Sequence, residues 1–157
     1  MKKDSGYLIT GYPSLYKEVI YKMIRPFKNE RITKIMAPEM QGIVYGTLIA
    51  YILNVPFIPI LKSGRVPKKY VLSRKYEDYS KKLKSLDVAK ISVKKGDRIL
   101  FVDDILETGE SAKVSIQMIE KLGGKLIGIS TIYNRLSEKN ESFFKKYNYH
   151  YLVKLTD

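Results

Sequence analysis

The 157 residues carry 29 Lys and Arg against 16 Asp and Glu, a formal net charge of +13, with 45% apolar residues and no cysteine. That length suits one domain (1–157) with a real core rather than two, and the lack of cysteine excludes a disulfide framework, a thiolate metal cluster and a cysteine nucleophile. The positive charge suits a small polyanion, but basic residues are spread along the whole chain without a DNA- or RNA-binding signature, so nucleic acid is not the expected partner.

The N-terminal apolar run, Tyr7 to Gly11, is too short for a signal peptide, and a cytoplasmic address is expected. Apolar residues at Leu15, Val19, Ile20, Met23 and Ile24 have helical spacing and predict a helix over 13–25, with Pro13 in its first turn and Pro26 after it. A short strand is expected over 34–37, a buried helix over 42–54 and a second strand over 56–61. The uncharged stretch 42–61 is long enough for a membrane span, but Asn54, Pro56 and Pro59 divide it into helix and strand, so no membrane contact is expected.

Between Lys62 and Ser85 the chain is rich in Lys, Arg and Tyr and has no clear apolar period, which predicts a long exposed loop or hairpin. A strand is expected over 98–102, an amphipathic helix over 111–122 stopped by Gly123 and Gly124, and a strand over 125–132. Ser137 is suited to cap a helix running through Phe144, and 149–155 reads as a closing strand that carries His150, the only histidine, as a packing or surface residue. Strands alternating with helices predict an α/β fold: a mostly parallel central sheet flanked by helices, with ligands beyond the carboxyl ends of the strands.

The chemistry is concentrated after the 98–102 strand, where Asp103 and Asp104 precede Thr108-Gly109-Glu110-Ser111 at the start of a helix. Successive backbone N–H groups and hydroxyls at a helix N-terminus form an anion cradle. Two carboxylates beside such a cradle suit ribose-type hydroxyls or a hydrated divalent cation, which together ask for a phosphorylated sugar with Mg2+. A nucleotide hydrolase is disfavoured because Gly6 to Gly11 continues as Tyr12-Pro13 instead of Gly-Lys-Ser/Thr. A phosphoacceptor receiver is disfavoured because Asp157 is the only aspartate after Asp104.

The segment Val102-Asp103-Asp104-Ile105-Leu106-Glu107-Thr108-Gly109-Glu110-Ser111 resembles the phosphoribosyl pyrophosphate (PRPP) signature of type I phosphoribosyltransferases. Upstream, Ala37 to Gly46 and Val55 to Pro67 resemble the pyrophosphate-side loop and the following strand and basic loop of adenine phosphoribosyltransferases, so the similarity spans about Lys34 to Gly124. The resemblance implies that fold, with a small hood and a flexible loop, a homodimer, and transfer of the phosphoribosyl group of PRPP to a purine. Adenine is favoured, with hypoxanthine or guanine next and a non-catalytic PRPP-sensing regulator as the rival.

By that resemblance Asp103 and Asp104 would bind the ribose, Glu107, Thr108, Gly109, Glu110 and Ser111 the 5′-phosphate, and Ile105 the base. Glu39, Met40, Gln41, Gly42 and Lys62 would lie on the pyrophosphate side, with Arg65 and Arg74 as further cations. Glu77-Asp78-Tyr79-Ser80 falls where the family carries an acid-Tyr-Gly triplet on a mobile loop, making Glu77 or Asp78 the candidate for managing the purine proton. Mg2+ would be held mainly through PRPP, with Asp103 reaching it through water and no direct protein cage. Gln41 stands where an arginine is usual, and Asp78 and Ser80 replace glutamate and glycine.

Overall fold

The computed structural model describes residues 5–78 and 80–156. Two N-terminal helices, α1 (Ser5–Thr10) and α2 (Pro13–Ile24), precede β1 (Lys34–Pro38), α3 (Gln41–Leu53) and β2 (Phe57–Lys62). A hairpin of β3 (Val71–Glu77) and β4 (Leu83–Ala89) follows, then β5 (Arg98–Leu106), α4 (Glu110–Lys121), β6 (Lys125–Asn134), α5 (Glu138–Lys145) and β7 (Tyr149–Lys154). Among the described residues the strands form one sheet in the order β3-β4-β2-β1-β5-β6-β7, parallel from β2 through β7 and antiparallel at β4 and β3. This is the expected α/β architecture with a mostly parallel sheet.

Local chemistry explains the boundaries. Pro13 occupies the first turn of α2, where its missing N–H is no loss, and α2 buries Val19, Ile20, Met23 and Ile24. Asn54, expected as the last residue of α3, instead caps it in the left-handed region at φ 53°, with its N–H directed to Ala50 and Tyr51 carbonyls. Pro59 is tolerated within β2 because β4 joins that strand only at Leu61 and Lys62, leaving no neighbour there to miss an N–H. The uncharged stretch is therefore a helix of 13 residues and a strand, and no helix among the described residues is long and apolar enough to cross a membrane. Ser137 caps α5 as expected, its hydroxyl oxygen accepting from the Asn140 N–H at 3.4 Å.

The core lies on both faces of the sheet. On one, α2 and α3 cover Ile35, Ala37, Leu100 and Val102; on the other, α4, α5 and the hairpin cover Met36, Ile99, Phe101 and Ile129. Ile99, Leu100, Phe101 and Val102 are all wholly buried, and each such side chain contributes about 1.5–3 kcal/mol. β5 is thus the central staple of the fold.

One departure from the sequence reading bears on the site. β5 does not end at Val102: it runs through both aspartates to Leu106, because β6 also continues to Asn134 and keeps pairing with it. β1, in contrast, pairs with β5 only as far as Phe101, so the aspartates face an opening on that side. The basic segment, expected as a long exposed loop or hairpin, takes the second form: β3 and β4 pair from Val71↔Ala89 to Glu77↔Leu83.

Candidate active site

β1 is followed by α3 and β2 on one side, while β5 lies on its other side and leads outward to β6 and β7. Chain direction across the sheet reverses between β1 and β5, and a crevice opens beyond their carboxyl ends, where α/β sheets take ligands. A cleft of about 430 Å³ occupies that place, lined by Pro38 to Gln41, Lys62, Tyr76, Asp78, Lys84, Leu86, Asp103 to Gly109 and Ser111. Its size suits a small ligand.

One wall is β5 and the N-terminus of α4. Asp103 is 8% exposed, its Oδ1 accepting from the Asp104 N–H at 2.9 Å. Burial and the charge of Asp104 hold its carboxyl well above the usual carboxylate range. Burial also raises that of Asp104. Two carboxylates so placed gain from any hydroxyl donor or cation that enters.

The chain then turns at Gly109, whose φ of 81° favours glycine, and a Cβ there would stand 2.5 Å from the Phe144 ring. Thr108, Gly109 and Ser111 line the cleft where α4 begins, and the first N–H groups of a helix, with the positive end of its dipole, favour an anion. Gly42 serves the same wall from α3 without lining the cleft: a Cβ there would lie 3.0 Å from Asp103 Oδ1 and 2.9 Å from Pro38.

The opposite end is built from Pro38 to Gln41, with a cis peptide between Glu39 and Met40, and from the turn after β2. Glu39 acts as an anchor: its carboxylate accepts from the Lys62 N–H at 3.0 Å and pairs with Arg65 at 3.2 Å. Asp87, 4% exposed, ties the same turn to the hairpin by accepting from Ser63, from Ser73 at 2.6 Å and from the Gly64 N–H at 3.1 Å. Burial opposes its ionisation, but the Ser63, Ser73 and Gly64 donors and the Lys68 charge prevail and lower its pKa.

The hairpin forms the third wall. Asp78 Oδ1 accepts from the Ser80 N–H (2.8 Å), the Ser80 hydroxyl (2.7 Å) and the Lys82 N–H (3.1 Å), and its other oxygen pairs with the Lys84 ammonium. The Lys84 and Ser80 contacts hold its carboxyl well below the ordinary range.

Most of the residues expected at a site converge: Glu39, Met40, Gln41, Lys62, Asp78, Asp103, Asp104, Ile105, Glu107, Thr108, Gly109 and Ser111 all line the cleft. Five do not. Gly42 is a packing residue, Arg65 turns to Glu39, and Glu110 turns along α4 to Lys113 at 2.6 Å. Arg74 borders a separate pocket with Ser63, Lys68 and Asp87. Glu77 is exposed and outside the cleft lining, since strand alternation turns it away from Tyr76 and Asp78. Tyr79 lies outside the described residues.

Sequence reading missed Tyr76, Lys84 and Leu86 in the lining and Asp87 behind it. Period-two alternation along the hairpin was the available signal, hidden because the turn position was unknown. His150 is exposed on β7, its ring edge against Phe27 and Nε2 3.0 Å from Asn148, in keeping with a surface role.

Fold and cleft together define a class, an α/β protein with a buried aspartate pair and a helix N-terminus in one crevice beyond the carboxyl ends of its parallel strands. Comparison with known proteins makes the class particular. The family model for the phosphoribosyl transferase domain matches residues 14–155. An adenine phosphoribosyltransferase of Clostridium botulinum (strain Hall) is 34% identical over 135 residues, covering 85% of this chain and 77% of its own. That of Brachyspira hyodysenteriae is 33% identical over 138 residues, covering 88% and 80%. The crystal structure of adenine phosphoribosyltransferase from Thermoanaerobacter pseudethanolicus superposes with a TM-score of 0.85 at 28% identity, covering 94% of this chain and 84% of that one. The chain belongs to the phosphoribosyl transferase family and is a phosphoribosyltransferase of the type I fold.

Proposed function

We propose that the chain transfers the phosphoribosyl group of PRPP to adenine, yielding the nucleoside monophosphate and pyrophosphate in purine salvage. The observation that carries this is the buried Asp103–Asp104 pair between the α4 anion cradle and the Lys62 end of one cleft, in a chain 34% identical to an adenine phosphoribosyltransferase.

PRPP would lie with its 5′-phosphate on the N–H groups of residues 108–111 and its 2′- and 3′-hydroxyls donating to Asp103 and Asp104. Its pyrophosphate would point to Met40, Gln41 and Lys62, with Ile105 beside the base. The purine nitrogen bonds to the anomeric carbon as the bond to pyrophosphate breaks; the bonding electrons leave with pyrophosphate, and the purine proton passes to solvent. Asp78 is a poor acceptor for that proton because the Lys84 and Ser80 contacts hold its carboxyl well below the ordinary range, and Glu77 does not line the cleft. Catalysis then rests on alignment and on stabilising the departing charge.

Mg2+ fits as a cation carried by PRPP. Among the described residues no cluster of three or more His, Cys, Asp or Glu could hold it alone, while the Asp103 and Asp104 carboxylates would hold its water shell. When bound it supplies charge neutralisation at the leaving group. The reading further places the chain, residues 1–157 as one domain, in the cytoplasm as a homodimer. Exposed Leu8, Tyr12 and Leu15 and, on α3, Val44, Tyr51 and Ile52 support pairing, which sedimentation of the purified chain tests.

The activity test is pyrophosphate release from PRPP and Mg2+ with adenine, hypoxanthine, guanine, xanthine, uracil and orotate in parallel. Turnover with adenine is expected. Turnover with a 6-oxopurine alone would reassign the base, and PRPP binding without turnover on any base would make the chain a sensor.

A further inference from the structure

The wall that would receive the 5′-phosphate carries acids of its own. Besides Asp103 and Asp104, Glu107 lines the cleft beside Thr108 and Gly109, and Glu110 opens α4. The Glu107 charge is felt within the cleft: burial is the main cause of the raised Asp104 pKa, and Glu107 adds to it. A phosphate dianion seated at this end would be repelled by any carboxylate left uncompensated.

Both outer acids meet a cation that comes from outside the cleft lining. Lys113 pairs with Glu110 along α4 at 2.6 Å, and Arg135 reaches Glu107 from the loop between β6 and α5, Nη1 to Oε1 at 3.5 Å. Only the second pair acts on a residue of the lining, since Glu110 already turns away.

The Arg135 backbone is held independently of its side chain. Its N–H donates to the Leu106 carbonyl at 2.9 Å, one residue before Glu107. The next residue, Leu136, donates its N–H to Asn134 Oδ1 at 2.9 Å and accepts from Lys154 Nζ at 3.1 Å. Leu136 is 3% exposed and packs 3.1 Å from where a Gly109 Cβ would stand. That frame delivers the guanidinium to Glu107, and the charge can be removed with the loop in place. Arg135 Nε is buried without a hydrogen-bond partner, and the Glu107 contact is long for a hydrogen bond. A buried donor left unpaired costs stability, so what Arg135 adds to the fold does not explain it; what it adds to Glu107 is compensating charge.

We propose that Arg135 is a positioning residue for the 5′-phosphate of PRPP: by neutralising Glu107 it keeps the start of α4 open to a dianion. This rests on the PRPP-dependent transfer argued above, and it gives the β6–α5 loop a part in substrate binding without contact to the substrate. No covalent change is involved.

The test is titration of ribose 5-phosphate, and separately inorganic pyrophosphate, in the presence of Mg2+. The proteins are wild type, Arg135→Met, Arg135→Lys, Glu107→Gln and the double variant Arg135→Met with Glu107→Gln. Arg135→Met is expected to weaken ribose 5-phosphate about tenfold at low salt, less as salt screens the freed carboxylate, and to leave pyrophosphate within about twofold. Arg135→Lys, which keeps the charge, should recover most of the affinity. Adding Glu107→Gln to Arg135→Met should return it to within about threefold of wild type, a rescue that a purely structural arginine would not allow. Glu107→Gln alone, which keeps the arginine, should tighten ribose 5-phosphate about threefold by leaving Arg135 uncompensated beside the anion. Equal weakening in Arg135→Met and the double variant would overturn the proposal, as would affinity unmoved by Arg135→Met. Weaker or unmoved binding by Glu107→Gln alone would overturn it too. Adenine turnover by wild type is measured alongside: its absence, with the coupling of Arg135 to Glu107 intact, would sink the adenine reading and leave the charge pairing standing.

Discussion

The two long walls of the cleft contrast in construction. The β5–α4 wall comes from one continuous segment, 102–111, clamped between central strands and a helix. The hairpin wall comes from residues on β3 and β4 brought to one face by pairing at the sheet edge. The first holds its carboxylates on a buried central strand; the second presents the Asp78–Lys84 ion pair at the edge of the sheet. In the proposed reaction the ribose and 5′-phosphate, which stay unchanged, would lie on the buried wall.

The largest test of that contrast is Asp103→Asn with Asp104→Asn. Turnover in the pyrophosphate-release assay should fall about 10³-fold, while the thermal midpoint at neutral pH should rise. Both folded-state pKa values are raised, so the unfolded chain gives up these protons first and the wild type loses stability as the pH rises above the ordinary carboxylate range; the gain in midpoint should vanish as the pH falls back to that range. A drop in both properties would mean that the pair holds the fold together.

Gly109→Ala should come next. A left-handed φ and the 2.5 Å approach to Phe144 predict about 2–3 kcal/mol of destabilisation in urea and a matching loss of ribose 5-phosphate affinity. Unchanged stability would show that the α4 wall yields more than its packing suggests.

Asp87→Ala removes the anchor beneath the Lys62 turn and should destabilise by about 1–3 kcal/mol, because Ser63, Ser73 and the Gly64 N–H lose their acceptor. Its folded pKa is lowered, so this contribution is present above the ordinary carboxylate value and fades as the pH falls through the lowered one. Urea midpoints of variant and wild type should therefore converge in acid.

The smallest effect is expected from Glu77→Gln, whose turnover should stay within about twofold of wild type because the side chain lies outside the cleft. A large loss would bring the opposite hairpin face into the chemistry.

The continuous wall is also the part that could be read from sequence. An apolar run, two acids and Thr-Gly before an amphipathic helix are local signals, because strand, turn and helix N-terminus follow one another along the chain. Even there the strand end was misplaced, since whether Asp103 and Asp104 remain in β5 depends on how far β6 extends beside it. Lys84 left no such trace: it is one lysine in a lysine-rich stretch until Tyr76↔Lys84 pairing is known. Arg74 and Glu77 were placed at the site from charge and motif position alone, and alternation turned Glu77 away while Arg74 came to border a separate pocket.

By itself, then, the sequence determined the order of helices and strands and the segment that builds the β5–α4 wall, because apolar period, caps and a helix N-terminus act over a few residues. Only the tertiary structure decided which charges meet across the cleft: strand register is a long-range property, and a shift of one residue would turn Lys84 from the cleft to the opposite face.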